Sequence, residues 1–204
     1  SCGIARVHLG IFNPEPQPIF NEDRSQLIFF DGKVYDYEDE RKNLQRQGHI
    51  FNFTNNDAEF CLHLYEELGK DFVKRLNGTF AIAIYDIEQQ KLLVVNDRYG
   101  LRPLYYAVDG TRVLIASEVK ALLQIEPKSK LNDEAIADWF FFGKLLGSKT
   151  FFKNISVLPP ASIMEYSDGK LHIEKYWDFE FDETTNISDE ELAEGLASSF
   201  RKSV

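Results

Sequence analysis

A chain of 204 residues, 44% hydrophobic and 14% aromatic, suits one medium-sized domain with a substantial core and excludes a disordered tail. A formal charge of −10, from 33 acids against 23 bases without a basic cluster, argues against nucleic acid or an anionic membrane as partner, and no apolar run is long enough to span a bilayer. Two cysteines are too few for a disulfide framework or a zinc site, and the four histidines, His8, His49, His63 and His172, are scattered without ligand spacing, so no metal is expected.

Ser1 to Arg6 lacks a basic stretch followed by an apolar one, which points to a cytoplasmic protein. Residues 6 to 12 alternate well enough for a strand, and Pro14, Pro16 and Pro18 make the next stretch a loop. Asn21 to Ser25 reads as a turn and Gln26 to Phe30 as a buried strand, broken at Asp31-Gly32 by a turn whose N–H groups can face an anion. Tyr37 to Gln47 is a charged helix anchored by Leu44 and stopped near Gly48. Asn55-Asn56-Asp57 caps a second helix ending at Leu68, with Glu59 placed as in a capping box and Cys61 as core filling.

Phe80 to Asp86 and Lys91 to Asn96 are apolar enough to be central strands. Hairpins are expected around Asp109-Gly110, between 104–107 and 112–116, and around Asp168-Gly169. Asn132 caps a helix running to about Phe142, and Ser188-Asp189-Glu190-Glu191 opens a final amphipathic one, after a polar boundary at Phe179 to Ile187. The pattern is α+β.

Several motifs resemble one family. Cys2-Gly3-Ile4-Ala5, Asp31-Gly32-Lys33-Val34-Tyr35-Asp36, Asn56-Asp57-Ala58-Glu59, Leu76-Asn77-Gly78-Thr79-Phe80-Ala81, Asp97-Arg98-Tyr99-Gly100-Leu101-Arg102-Pro103-Leu104 and Ala116-Ser117-Glu118-Val119-Lys120-Ala121-Leu122 are similar to segments of the class II glutamine amidotransferase half of asparagine synthetases. The resemblance implies a four-layer α/β/β/α sandwich of the N-terminal-nucleophile hydrolase type. It implies a glutaminase-like domain over residues 1–180, followed over 181–204 by a linker and the first helix of a synthetase-like domain. No Ser-Gly-Gly-x-Asp-Ser loop occurs, so ATP and Mg are expected only in that second domain and no cofactor in this chain.

In such a domain Cys2 would be the nucleophile, with its own α-amine as base. Ser1 in front of it would acylate that amine, and is read as a residue left by tag removal. Arg6 would clamp the glutamine carboxylate, with Val7, Leu9 and Gly10 alongside, and Asp57 would accept the substrate ammonium unless it is only a helix cap. Asp31 and Gly32 occupy the oxyanion-hole positions. Here the sequence departs from the family: Asp31 stands where the family has an asparagine that donates to the oxyanion, and Lys33 where it has a glutamate beside the substrate amine. One lost donor costs about 2.7–4 kcal/mol of barrier.

A further departure is that Arg6 follows Ala5 directly, where relatives insert several dozen residues; the segment is either deleted or missing at a junction. Three readings stay open: an impaired glutaminase that takes L-glutamine and supplies ammonia to a synthetase-like domain or subunit, an inactive scaffold for such a partner, or an amino-acid-binding module. A homodimer is allowed.

Overall fold

The computed structural model describes residues 2–7, 10–125, 129–181 and 187–203. The elements run β1 (Ile19–Phe20), β2 (Gln26–Tyr35), α1 (Glu38–Gln47), α2 (Asp57–Leu68), a 3-10 turn (Gly69–Arg75), β3 (Asn77–Asp86), β4 (Lys91–Asn96), β5 (Tyr105–Asp109), β6 (Arg112–Ala116), α3 (Val119–Ile125), α4 (Asp133–Phe142), β7 (Ser156–Val157), β8 (Ser162–Ser167), β9 (Lys170–Lys175) and α5 (Asp189–Ser203). They form an antiparallel sheet in the order β1-β2-β3-β4-β8-β9 and a smaller one in the order β6-β5-β7.

Strand periodicity explains how four layers arise. Phe80, Ile82 and Ile84 of β3 and Leu93 and Val95 of β4 point to one face, where they pack on Leu44 of α1 and Phe60 and Leu64 of α2. Val94, Met164 and Ile173 point to the other face and meet Tyr106, Val113 and Ile115 of the second sheet. The far side of that sheet, through Ala107 and Leu114, packs on Val119 and Leu122 of α3. Three apolar cores therefore separate helix, sheet, sheet and helix, as the α/β/β/α expectation has it. α5 buries none of its residues.

Both hairpins, the helix caps at Asn56 and Asn132 and the left-handed stop at Gly48 form where the sequence places them. Glu59 completes only part of the capping box: its carboxylate accepts from the backbone N–H groups of Asn52 and Phe53, two residues of the preceding loop.

Two expectations are corrected. Among the described residues of 6–12 there is no strand, since Val7 is fully exposed and Gly10 bends at φ +72°; alternation alone cannot make a strand that finds no ladder to join. Asp31-Gly32 is not a turn. β2 runs straight through it in ten register pairs with β3, including Asp31 with Ala81 and Gly32 with Phe80, and the chain turns only at Asp36, φ +58°. Asp-Gly reads as a turn by composition, but here the glycine serves close approach: at φ +135°, a Cβ on Gly32 would lie 2.0 Å from the Thr79 carbonyl oxygen.

Candidate active site

The register of β2 decides what the site can offer. Phe80 exchanges bonds with Asp97, accepting from its backbone N–H at 3.0 Å and donating to its Oδ2 at 3.2 Å. Its polar groups thus face away from β2, so Gly32 opposite it turns its own N–H and C=O outward, as Phe30 and Val34 do. Those outward groups find side-chain partners. Phe30 N–H donates to Gln17 Oε1 at 2.8 Å and Phe30 O accepts from Gln17 Nε2 at 3.1 Å. Val34 N–H donates to Asp57 Oδ2 at 3.2 Å, and Gly32 O accepts from Asn13 Nδ2 at 3.4 Å. Gly32 N–H is the one outward donor between Phe30 and Val34 with no such partner among the described residues, which suits the oxyanion role expected of it.

Asp57 is the centre of the hydrogen-bond network beside β2. It is the first residue of α2, but the cap is Asn56, whose Oδ1 accepts from Glu59 N–H at 3.0 Å. The Asp57 side chain is thereby free to point at β2, where it is completely buried. Its Oδ1 accepts from Lys33 Nζ at 2.8 Å and Tyr37 Oη at 2.9 Å; its Oδ2 accepts from Val34 N–H and from Asn13 Nδ2 at 3.3 Å. Asn13 closes the ring by accepting from Asp57 N–H at 2.7 Å. Burial, then the adjacent Asp57 carboxylate, pushes the Tyr37 phenol well above its ordinary value, so it stays a donor. Lys33 therefore occupies the acceptor that a bound amino acid's ammonium would need.

Asp31 alternates with Gly32 and projects to the opposite face. Its side chain is half exposed and its Oδ2 accepts from Arg102 Nη1 at 2.8 Å. Held in this way Asp31 accepts from the guanidinium, where an asparagine would carry an amide donor. Arg6 lies close enough for Asp31 to act on it electrostatically, although burial, the larger influence, pulls its pKa down. Its Nη1 donates to Asn13 O at 3.4 Å, while its buried Nε–H has no acceptor among the described residues. That orphaned donor fits a carboxylate clamp.

The structure thus brings Arg6, Asp31, Gly32, Lys33 and Asp57 together. It does not bring Val7, which faces solvent, and Gly10 sits in an exposed bend. Leu9 and Ser1 lie outside the described residues. Cys2 is exposed and no hydrogen bond ties it to Asp31 or Gly32; partial burial pushes its thiol up, away from the thiolate that would attack an amide. Cys61, by contrast, is fully buried in the core, as expected.

Sequence reasoning missed Asn13, Tyr37 and Arg102 as site residues. Tyr37 closes the motif that begins at Asp31, and a phenol six positions past the oxyanion residue was a signal available to be read. Asn13 carried none, because its position depends on a left-handed φ of +48° in a proline-rich loop.

A family model described as "Glutamine amidotransferase domain" matches residues 1–177. The chain is 34% identical over 181 residues to asparagine synthetase 3 (glutamine-hydrolyzing) of Bacillus subtilis, a match covering 88% of this chain and 29% of that protein. It is 29% identical over 206 residues to amidase chyE of Penicillium rubens, covering 96% of this chain and 30% of the relative. It spans, then, less than a third of these relatives' length. Among solved structures, glutamine phosphoribosylpyrophosphate amidotransferase from B. subtilis, complexed with ADP and GMP, superposes with a TM-score of 0.56 at 21% identity, over 85% of this chain and 34% of that one. The shared fold is the N-terminal-nucleophile hydrolase sandwich.

Proposed function

The chain belongs to the glutamine amidotransferase domain family, and from that premise we propose that it is the glutaminase half of an asparagine-synthetase-like, amide-forming enzyme whose own glutamine hydrolysis is impaired. In the intact reaction the Cys2 thiol adds to the side-chain amide carbon of glutamine, ammonia leaves as the thioester forms, and water releases glutamate. Arg6 holds the α-carboxylate, Gly32 N–H receives the oxyanion, and Asp57 receives the ammonium. The ammonia passes to a synthetase-like domain or subunit that carries ATP and Mg, in the cytoplasm, with a homodimer as the assembly to test first. Residues 1–180 form the glutaminase-like part. Residues 181–204 lead into the synthetase-like part, a reading supported by the exposed Leu192, Leu196 and Phe200, spaced to cover one side of α5.

The observation that carries the impairment is the 2.8 Å Lys33–Asp57 ion pair. It sets a lysine ammonium where the substrate's belongs, and any glutamine must displace it from a fully buried carboxylate. The Asp31 carboxylate then withholds one oxyanion donor, worth roughly a hundred- to thousand-fold in rate.

The decisive experiment measures glutamate released from glutamine by protein with a verified free Cys2 terminus. Weak turnover that disappears in Cys2→Ala and rises roughly a hundredfold in the double variant Asp31→Asn, Lys33→Glu supports the proposal. No turnover in the parent and none in the double variant favours the second reading, an inactive scaffold for the partner, to which the strand-free segment at residues 2–7 already lends support.

A further inference from the structure

Away from the proposed glutamine site, the fold gathers four chemistry-bearing side chains from three separate segments of the sequence. Glu22 comes from the turn between β1 and β2, His49 from the loop after α1, and His63 and Glu66 from α2. One potential ligand atom from each lies within 4.8 Å of the others. His49 Nδ1 faces His63 Nδ1 at 3.1 Å, His63 Nδ1 is 2.9 Å from Glu66 Oε2, and His49 Nδ1 is 3.7 Å from that oxygen. The Glu22 carboxylate stands 3.9 Å from His49 Nδ1 and 3.7 Å from His63 Nδ1.

We propose that these four side chains form a tetrahedral site for a divalent transition metal of the zinc class, which clamps the β1–β2 turn and the loop after α1 to α2. Metal–ligand bonds of about 2.0–2.1 Å place tetrahedral ligands about 3.3 Å apart; the His49, His63 and Glu66 atoms, 2.9 to 3.7 Å apart, bracket that edge, and Glu22, whose ligand oxygen lies within 4.8 Å of the other three, closes in on metal binding. Two imidazoles with two carboxylates favour zinc or cobalt over magnesium or calcium, which take oxygen ligands.

The surroundings are those of a ligand set. His49 Nε2 lies 2.9 Å from Glu67 Oε1, which assigns the second ring proton to Nε2 and leaves the Nδ1 lone pair directed at the cluster, the carboxylate–histidine arrangement found behind metal centres. Asn21 Nδ2 donates to the other Glu66 oxygen, Oε1, at 2.8 Å, and Ile50 N–H donates to Glu22 Oε1 at 3.1 Å. The His63 side chain is 3% exposed and Glu22 40%, so the cluster is rigid at the back and reachable from solvent at the front. The sequence shows none of this, because 14 residues separate the two histidines and only His63 and Glu66, three apart on one helix, are local neighbours.

The test titrates Zn2+ into chelator-stripped full chain carrying Cys2→Ala, which removes the exposed thiol as a competing ligand. Calorimetry is expected to give one equivalent bound, with a rise in Tm, and Co2+ to give the visible absorption of a tetrahedral centre, while Mg2+ gives neither. His49→Gln and His63→Gln should each weaken Zn2+ binding at least about 100-fold, and Glu67→Gln about tenfold, as changes behind a metal ligand do. Should His63→Gln not fold, His49→Gln and Glu22→Gln, nearer solvent, carry the same comparison. No stoichiometric Zn2+ uptake, or uptake that His49→Gln leaves undiminished, overturns the proposal.

Discussion

β2 and Arg6, from residues 2–7, both contribute to the candidate site, yet β2 is fixed by ten register pairs with β3 and by side-chain partners on its open edge, whereas among the described residues the one hydrogen bond from residues 2–7 runs from Arg6 to Asn13. The wall proposed to bind substrate is a finished structure and the segment carrying the proposed nucleophile is not. Chemistry in this fold needs both. In the proposed reaction a thiol is delivered to the edge that carries Gly32 N–H, and an ordered strand is what would bring it within bonding reach. The wall, meanwhile, is complete without substrate: the Asp57 carboxylate has four donors of its own. The front has few partners, and at the wall the Asp57 carboxylate has no oxygen left unpaired.

The sharpest way to break this contrast is Asp57→Ala, which strips partners from Lys33, Tyr37, Asn13 and Val34 together and should cost about 3–5 kcal/mol in urea unfolding. A loss under about 1 kcal/mol would mean the wall is no more finished than the front. Gly32→Ala comes next, at about 3 kcal/mol, because the added methyl meets the Thr79 carbonyl in a backbone conformation closed to alanine.

Cys2 tests the front. Its thiol titrates above an ordinary value of about 8.5, so alkylation at pH 7 should run at least about 30-fold below the rate reached at alkaline pH, climbing as pH rises through the raised pKa. A rate already at its plateau at pH 7 would reveal an activated nucleophile and dissolve the contrast. Fully buried Cys61 should stay unmodified throughout in folded protein.

Asp31→Ala removes only a surface ion pair with Arg102 and should change stability by about 0.2–1 kcal/mol. Val7→Ser, at a fully exposed position, should stay within about 0.5 kcal/mol. A larger effect of Val7→Ser would show that residues 2–7 are packed in solution.

What the sequence disclosed and what it withheld divides along the same line. Local chemistry was legible: Asn56 and Asn132 cap their helices, Gly48 stops α1, and both Asp-Gly hairpins form, since each depends on residues within a few positions. Arg6, Asp31, Gly32, Lys33 and Asp57 were singled out through resemblance, and the fold brings them together. The strand at 6–12 was misread because alternation says nothing about whether a partner strand exists. The Asp31-Gly32 turn was misread because a glycine that relieves crowding between strands has the same letter as one that reverses a chain. Asn13, Arg102 and the pairing of His49 with His63 were invisible, being products of tertiary contact alone.

The narrow gap between β2 and β3 has a consequence for inheritance. A methyl group on Gly32 would strike the Thr79 carbonyl, and one on Gly78 would come within 2.2 Å of the Lys33 carbonyl. Each glycine thus protects the main chain next to the other, and neither can be replaced without moving the partner strand. Position 31 carries no such obligation, for its side chain is half exposed, whereas Lys33 is held by the buried Asp57 carboxylate. Random substitution at position 31 would therefore alter what this edge can do long before it disturbed the edge itself, so the outline of the β2–β3 backbone can outlast any chemistry it supports.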